Sequence, residues 1–177
     1  METFEVSLVI DRVPSDAELV SVPDPQLEEA GVVAFETSDG NALVHLAHES
    51  ESLPTAIGRG VRAVEQLGQL GLEVIGVASN DVVSLRDIAA HTGRTYESVR
   101  LIATGKRGPG GFPAPLSRGQ WALYSWTEVS IWLAQHYGTE AVGSFDRQIA
   151  AADYLIRARR IIDDDTARGE LAQLLAA

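Results

Sequence analysis

The sequence predicts an α+β fold. Strand-like and helix-like segments interleave through residues 1–80. Two short capped helices flank Gly93, and the last part of the chain carries helical apolar stripes. Phe4–Val13 opens with Phe4, Val6, Leu8 and Ile10 in alternation, the period of a half-buried strand. Pro14-Ser15-Asp16 breaks it and offers a cap for a helix near Ala17–Val20, which Pro23 and Pro25 interrupt. Pro25–Ala30 adds a second short turn of helix, ended by Gly31. Val32–Thr37 and Ala42–His48 read as strands around the tight turn Ser38-Asp39-Gly40-Asn41, a hairpin. Ser52 precedes a helix with Pro54 in its first turn, where Ile57, Val61, Val64 and Leu67 form one apolar face. Gly68 and Gly71 end it, and Leu72–Ala78 is the next strand. The order is β-α-β-β-α-β, the ferredoxin-like pattern, with both helices expected on one face of a four-stranded antiparallel sheet. The other face is then solvated or a partner surface.

The chain of 177 residues is 45% hydrophobic and has no cysteine, which excludes a disulfide scaffold, a thiolate nucleophile and any cysteine-ligated metal. The formal charge is −11, but it is unevenly spread. Residues 1–80 hold fourteen acidic residues against Arg12, Arg59 and Arg62. Residues 81–118 hold Arg86, Arg94, Arg100, Lys106, Arg107 and Arg118 against only Asp81, Asp87 and Glu97. Residues 119–177 hold five basic and eight acidic residues. The pattern implies an acidic domain over 1–80, a basic domain over 81–137 and a mildly acidic helical segment over 138–177. No apolar run approaches the roughly 18 residues of a membrane span. The start Met1-Glu2-Thr3-Phe4-Glu5 lacks the basic and apolar regions of a signal peptide. The expected setting is cytoplasmic and nucleoid-associated, with no membrane partner.

Residues 83–137 carry the informative motifs. Ser84 and Asp87 have capping-box spacing before a helix Leu85–His91 that turns Leu85, Ile88 and Ala89 inward. Gly93, in the turn Thr92-Gly93-Arg94, suits the left-handed conformation at a helix end. Thr95 caps a second helix, Tyr96–Ala103, with Val99 and Ile102 on its core side. Two short helices joined by a glycine turn make a helix-turn-helix, whose second helix fits a major groove. Arg94, Thr95, Tyr96, Ser98 and Arg100 fall at the start and exposed side of that helix, although Tyr96 suits a core as well as a groove. The run 105–113, GKRGPGGFP, cannot be helix and forms a loop carrying Lys106 and Arg107, where a glycine-rich backbone can approach phosphate. A strand Trp121–Ser125 and an amphipathic helix Trp126–Tyr137 follow, with Val129, Trp132 and Leu133 on the core face. All three tryptophans are expected in the core rather than as stacking platforms.

The stretch Asp87–Arg100 (DIAAHTGRTYESVR) is similar to the first half of MerR- and excisionase-like winged helix-turn-helix domains. The continuation GKRGPGGFPAP, with Tyr124-Ser125-Trp126-Thr127-Glu128-Val129 and Trp132-Leu133, resembles small bacterial regulators of phage-excisionase type. The resemblance covers residues 82–137. It implies a recognition helix 95–103 reading DNA through Thr95, Tyr96, Ser98 and Arg100, and a wing 105–113 placing Lys106 and Arg107 on the backbone or minor groove. Arg86 and Arg94 join these as candidate DNA contacts. The Tyr-Tyr continuation and long coiled coil of true MerR regulators are absent.

Elsewhere the residues carry less. His91 at a helix end suits a C-terminal cap. His45 and His48 lie three apart in a strand and so face opposite sides, which suits no metal. Asp163-Asp164-Asp165 reads as a solvated helix end. No cofactor motif and no nucleophile–base–acid set is visible, so nothing in the sequence supports an enzyme. In the tail, Phe145, Ile149, Ala152, Ile156 and Ile162 form an apolar stripe, and Thr166–Leu175 a second helix with Leu171, Leu174 and Leu175. A stripe of this kind packs on its own domain or pairs two subunits. Pairing is the expectation, because operators are commonly two-fold and one small winged domain makes little contact. The sequence therefore predicts a homodimeric, sequence-specific regulator of double-stranded DNA. The alternative is a protein-interaction adaptor or antitoxin-like module whose acidic domain binds a protein partner.

Overall fold

The computed structural model of the chain describes residues 1–117 and 121–175. In chain order, β1 (Glu2–Ile10), α1 (Asp16–Ser21), α2 (Asp24–Glu29), β2 (Val32–Ser38), β3 (Asn41–Ser50), α3 (Leu53–Gln66) and β4 (Val74–Val77) come first. They are followed by β5 (Val82–Ser84), α4 (Leu85–Thr92), α5 (Tyr96–Ala103), β6 (Leu123–Ser125) and α6 (Trp126–Tyr137). The chain continues with α7 (Ser144–Ile161), α8 (Asp165–Ala172) and a 3₁₀ turn Gln173–Leu175. The fold is mixed α+β. It divides into two compact units, Met1–Ala78 with Ala151–Ala177, and Ser79–Ala150. The first boundary falls two residues from the expected one. Residues 138–177 do not stand apart as one segment, because the division falls within α7 and the residues after it are tied to β4. No helix among the described residues is long and apolar enough to cross a membrane.

In the first unit the sheet order is β2-β3-β1-β4, every neighbouring pair antiparallel. Nine consecutive pairs join β1 to β3, from Glu2↔Ser50 to Ile10↔Ala42. Alternation then sends Val6, Leu8, Ile10, Val44 and Leu46 to one face, where all are buried. The α3 residues Ala56, Ile57, Val61 and Val64 are buried as well. Gly60 allows the close approach, since a Cβ there would meet Leu46 Cδ1 at 2.6 Å. The hairpin turns through Asp39 and Gly40, both at positive φ (50° and 78°), as a two-residue turn of matching twist requires. The strands and helices lie where the alternation and caps put them, shifted at their ends. β1 stops at Ile10 rather than Val13, where Asp11 Oδ1 accepts from Glu73 N at 2.9 Å and the strand leaves the sheet.

The tail helix closes one sheet edge. β4 pairs only with β1, so its outer side presents unpaired backbone groups. Asp153 Oδ1 accepts from Val77 N at 3.0 Å, and Arg159 donates to the Val74 carbonyl at 3.3 Å. Asp153 is 6% exposed and is also held by Arg157 Nε, 3.0 and 2.9 Å from its two oxygens. A Cβ on Gly76 would meet Asp153 Oδ1 at 2.5 Å, so this approach needs glycine. Arg159 further pairs with Glu65 and Arg160 with Glu73. The apolar stripe of the tail is only partly inward: Ile156 is buried, while Phe145 is 47% exposed. Ile161, Leu171, Leu174 and Leu175 are exposed. In the acidic run, Asp164 caps α8 by accepting from Thr166 N and Ala167 N.

His48 is 6% exposed, beside Gly31 and Gly60, and its Nε2 has no hydrogen-bond partner among the described residues. Burial, reinforced by the Arg59 charge, lowers its pKa below the ordinary 6.5. The unfolded chain therefore binds this proton at a higher pH than the folded one. Stability from this group is complete above pH 6.5 and is lost as the pH falls below that. The slope of unfolding free energy with pH between 7.5 and 5.5 should be shallower in His48→Gln, by at most about 1.4 kcal/mol per pH unit. Denaturant titrations across that range measure it. Asp153→Ala should cost roughly 1–3 kcal/mol in the same assay, because it strands the Val77 N–H.

Candidate nucleic-acid interface

The Ser79–Ala150 unit is built on helix caps. Ser84 Oγ accepts from Arg86 N and Asp87 N at the start of α4, while Asp87 Oδ2 accepts from Ser84 N and Oγ. These bonds, chiefly the one from the Ser84 hydroxyl, hold the Asp87 carboxyl below its usual range. Gly93 ends α4 at φ 63°, and its N–H returns to the carbonyls of Ala89 and Ala90. Thr95 Oγ1 caps α5, accepting from Ser98 N at 3.2 Å. At α6, Ser125 Oγ accepts from Glu128 N, and the buried Asp81 carboxylate accepts from Thr127 N at 2.6 Å. The Asp81 carbonyl accepts from Trp126 N as well. A carboxylate at a helix N-terminus satisfies free N–H groups and opposes the positive end of the helix dipole.

These helices enclose a core of Val83, Ile88, Val99, Ile102, Tyr124, Val129, Trp132 and Leu133. Burial pushes the Tyr124 phenol up. Leu85 is only half-buried. β5, which the sequence did not suggest, pairs with β6 through Val82↔Ser125, Val83↔Tyr124 and Ser84↔Leu123.

The 105–113 segment is tied back to its own unit. Lys106 N and Arg107 N both donate to the Leu101 carbonyl, and Trp132 Nε1 donates to the Gly110 carbonyl at 3.2 Å. Phe112 packs edge-on against Tyr124 and Trp132, with ring centroids 5.6 and 5.1 Å away. The segment is a loop anchored by its aromatic residue. Beyond it, Leu116 N donates to the Leu123 carbonyl at 2.8 Å, and Ser117 forms an isolated antiparallel bridge with Leu123. Arg118 falls on residues 118–120, outside the described residues. One expectation is corrected at Trp121, which is 75% exposed and not in the core. Trp132 is buried as expected, and Trp126 packs partly buried against the same core. His91, in the last turn of α4, stacks on Trp126 with ring centroids 4.8 Å apart.

The candidate contact residues fall into distinct states. Arg86, Lys106 and Arg107 are exposed, with no side-chain partner among the described residues. Arg94 lies over the Tyr137 ring, 4.5 Å from its centroid. The Tyr137 hydroxyl lies 2.7 Å from where a Cβ on Gly108 would sit, so that ring touches both Arg94 and the loop. Tyr96 is 47% exposed, which resolves its two readings toward the surface. Ser98 is half-buried and Thr95 is spent as a cap. Arg100 is bound in a fork to Glu97, Nε to Oε2 at 2.8 Å and Nη2 to Oε1 at 2.6 Å. That bond holds the Glu97 carboxyl below its usual range, with the Lys106 charge contributing, so Lys106 is within electrostatic reach of α5. Tyr96, Glu97, Arg100 and Lys106 form one cluster. Arg94, Tyr137 and the loop form another, and no contact joins Arg86 to either.

In the first unit an open cleft of about 650 Å³ lies between α2 and α3. Arg59 and Arg62, two of the three arginines of residues 1–80, line it with Gln26, Glu29 and Gln66. Among the described residues no group of three ionisable side chains is placed to hold a metal ion. No family model, curated protein or solved structure matches the chain.

All three tryptophans lie in the Ser79–Ala150 unit, so their fluorescence reports on it alone. Asp81→Ala should lower the stability of that unit by roughly 1–2 kcal/mol, because it leaves Thr127 N at the start of α6 without its carboxylate acceptor. Denaturation followed by tryptophan emission measures the loss.

Proposed function

We propose that the Ser79–Ala150 unit is a winged helix-turn-helix of MerR/excisionase kind, and that the chain is a homodimeric, sequence-specific regulator of double-stranded DNA. The observation that carries this reading is the pair of short capped helices about a left-handed Gly93, with three uncommitted cations, in a chain that is otherwise strongly acidic. In this reading α5 enters the major groove. Tyr96 and Arg100 face the bases, and Lys106, Arg107 and Arg86 take phosphates. The first unit, read as ferredoxin-like from its strand order and two crossovers, mediates assembly or senses a ligand. Its cleft with Arg59 and Arg62 is the natural place for an effector.

Arg100 serves two states. Glu97 holds its guanidinium in the free protein, and DNA must replace that carboxylate with a phosphate or a guanine edge. Glu97 therefore lowers affinity and pre-positions the fork.

On a duplex selected from a random pool, Arg100→Ala should relax sequence preference. Lys106→Ala/Arg107→Ala should weaken binding to all sequences and flatten the salt dependence by nearly two units of slope. Glu97→Gln should tighten binding several-fold. Gel shifts at several salt concentrations decide the matter. Unchanged binding in both the arginine and the double variant removes the proposed reading surface.

A further inference from the structure

On the sheet face opposite α3, three polar side chains stand side by side on three neighbouring strands. Ser7 is on β1, His45 on β3 and Glu36 on β2. The register puts Ser7 directly across from His45. Ala34 pairs with His45 and Glu36 with Leu43, so Glu36 is the diagonal neighbour of His45 on its other side. Ser7 Oγ lies 2.8 Å from His45 Nδ1, and His45 Nε2 lies 3.1 Å from Glu36 Oε1. The imidazole is thus engaged through both nitrogens.

The proton positions follow from the partners. An ionised carboxylate only accepts, so Nε2 carries the hydrogen and points it at Glu36. With the ring neutral, Nδ1 is then the acceptor, and the Ser7 hydroxyl donates to it. A hydroxyl aimed at a neutral imidazole, whose far nitrogen is fixed by a carboxylate, is the arrangement that activates a serine nucleophile. The two ring nitrogens exchange their more familiar roles, and Nδ1 is the base. Ser7 is half-buried, and the side chains of His45 and Glu36 are 32% and 50% exposed, so a small reagent and water both have access.

We propose that Ser7, His45 and Glu36 form a nucleophilic serine site that takes small activated esters. In the first step Ser7 Oγ bonds to the ester carbonyl carbon while its proton passes to His45 Nδ1. The tetrahedral adduct collapses, the bond to the leaving oxygen breaks, and that oxygen takes the proton from Nδ1 to depart as an alcohol. Water then attacks the acyl-serine and gives a proton to Nδ1. The carbon–Oγ bond breaks, the carboxylic acid leaves, and Ser7 recovers its proton. Glu36 touches no reacting atom. It is a positioning residue that fixes the tautomer and steadies the transient imidazolium. The site lies in the first unit and stands apart from the DNA reading, so either can fail alone.

The test is labelling of the full chain with a fluorophosphonate, in which Ser7 Oγ displaces fluoride from phosphorus. The expected result is one adduct, mapped by peptide mass to Ser7 and absent in Ser7→Ala. His45→Gln should slow labelling about 100-fold, the lower end of what a general base contributes. With p-nitrophenyl acetate, Glu36→Gln should lower kcat and leave KM unchanged, and Glu36→Asp should restore part of the rate. Labelling of Ser7 no faster than that of exposed serines such as Ser144 overturns the proposal. So does a folded His45→Gln that labels at the wild-type rate. If His45→Gln does not fold, the comparison of Ser7 with the other serines in the wild-type chain decides.

Discussion

The pairing of β1 with β3 is the constraint on which the first unit rests. Nine residue pairs in register put Val6, Leu8, Ile10, Val44 and Leu46 on the α3 side of the sheet. Each side chain alternates, so a slip of one residue would turn that apolar set to the other face and bring Ser7 and His45 inward. The cost of such a slip is the burial of at least five large aliphatic groups, at about 1.5–3 kcal/mol each. The register is therefore firmly specified. It also settles the polar face without further expense, because the partners of His45 are set by the same ladder that buries Leu46.

A sheet built this way has two edges, and the chain treats them differently. β4 is short, and α7 supplies both a carboxylate for the Val77 N–H and a guanidinium for the Val74 carbonyl. Those groups would otherwise be a template for another strand. The ion pairs that accompany them, Arg159 with Glu65 and Arg160 with Glu73, are half-exposed and add little on their own. Their part is to fix where the helix lies. The buried Asp153 is the member that matters, because its desolvation is offset only while the backbone donor and Arg157 remain in place.

The second unit is held together by a different logic. Helices α4, α5 and α6 are short, so end groups are a large share of their backbone, and their starts are capped by side chains: Ser84, Thr95, and Ser125 with Asp81. The core between them is small and aromatic, and Phe112 extends it into the glycine-rich loop. The cations distribute around this frame in two conditions, committed and uncommitted. Arg94 and Arg100 are occupied by Tyr137 and Glu97, whereas Arg86, Lys106 and Arg107 are not, so equal formal charges are unequal in what they can offer a phosphate.

Much of this was legible in the amino-acid order. Helix caps, the Gly93 turn, the Asp39-Gly40 hairpin and the alternation of β1 and β3 are local signals, read within a few residues of where they act. The α+β class, most of the elements though not β5, and the separation of acidic from basic segments are written in the order of residues alone. That order could not determine which long-range partner each exposed group would meet. That Arg100 faces Glu97 was within reach at three residues' spacing. That Asp153 meets Val77, that Phe112 folds the 105–113 loop onto Trp132, and that Ser7, His45 and Glu36 converge was not. Those meetings span from twenty to seventy-six residues or depend on the pairing of three strands. They are settled in the folded chain, because side-chain contacts across a sheet are fixed by register, and register is the outcome of burying the whole apolar face at once.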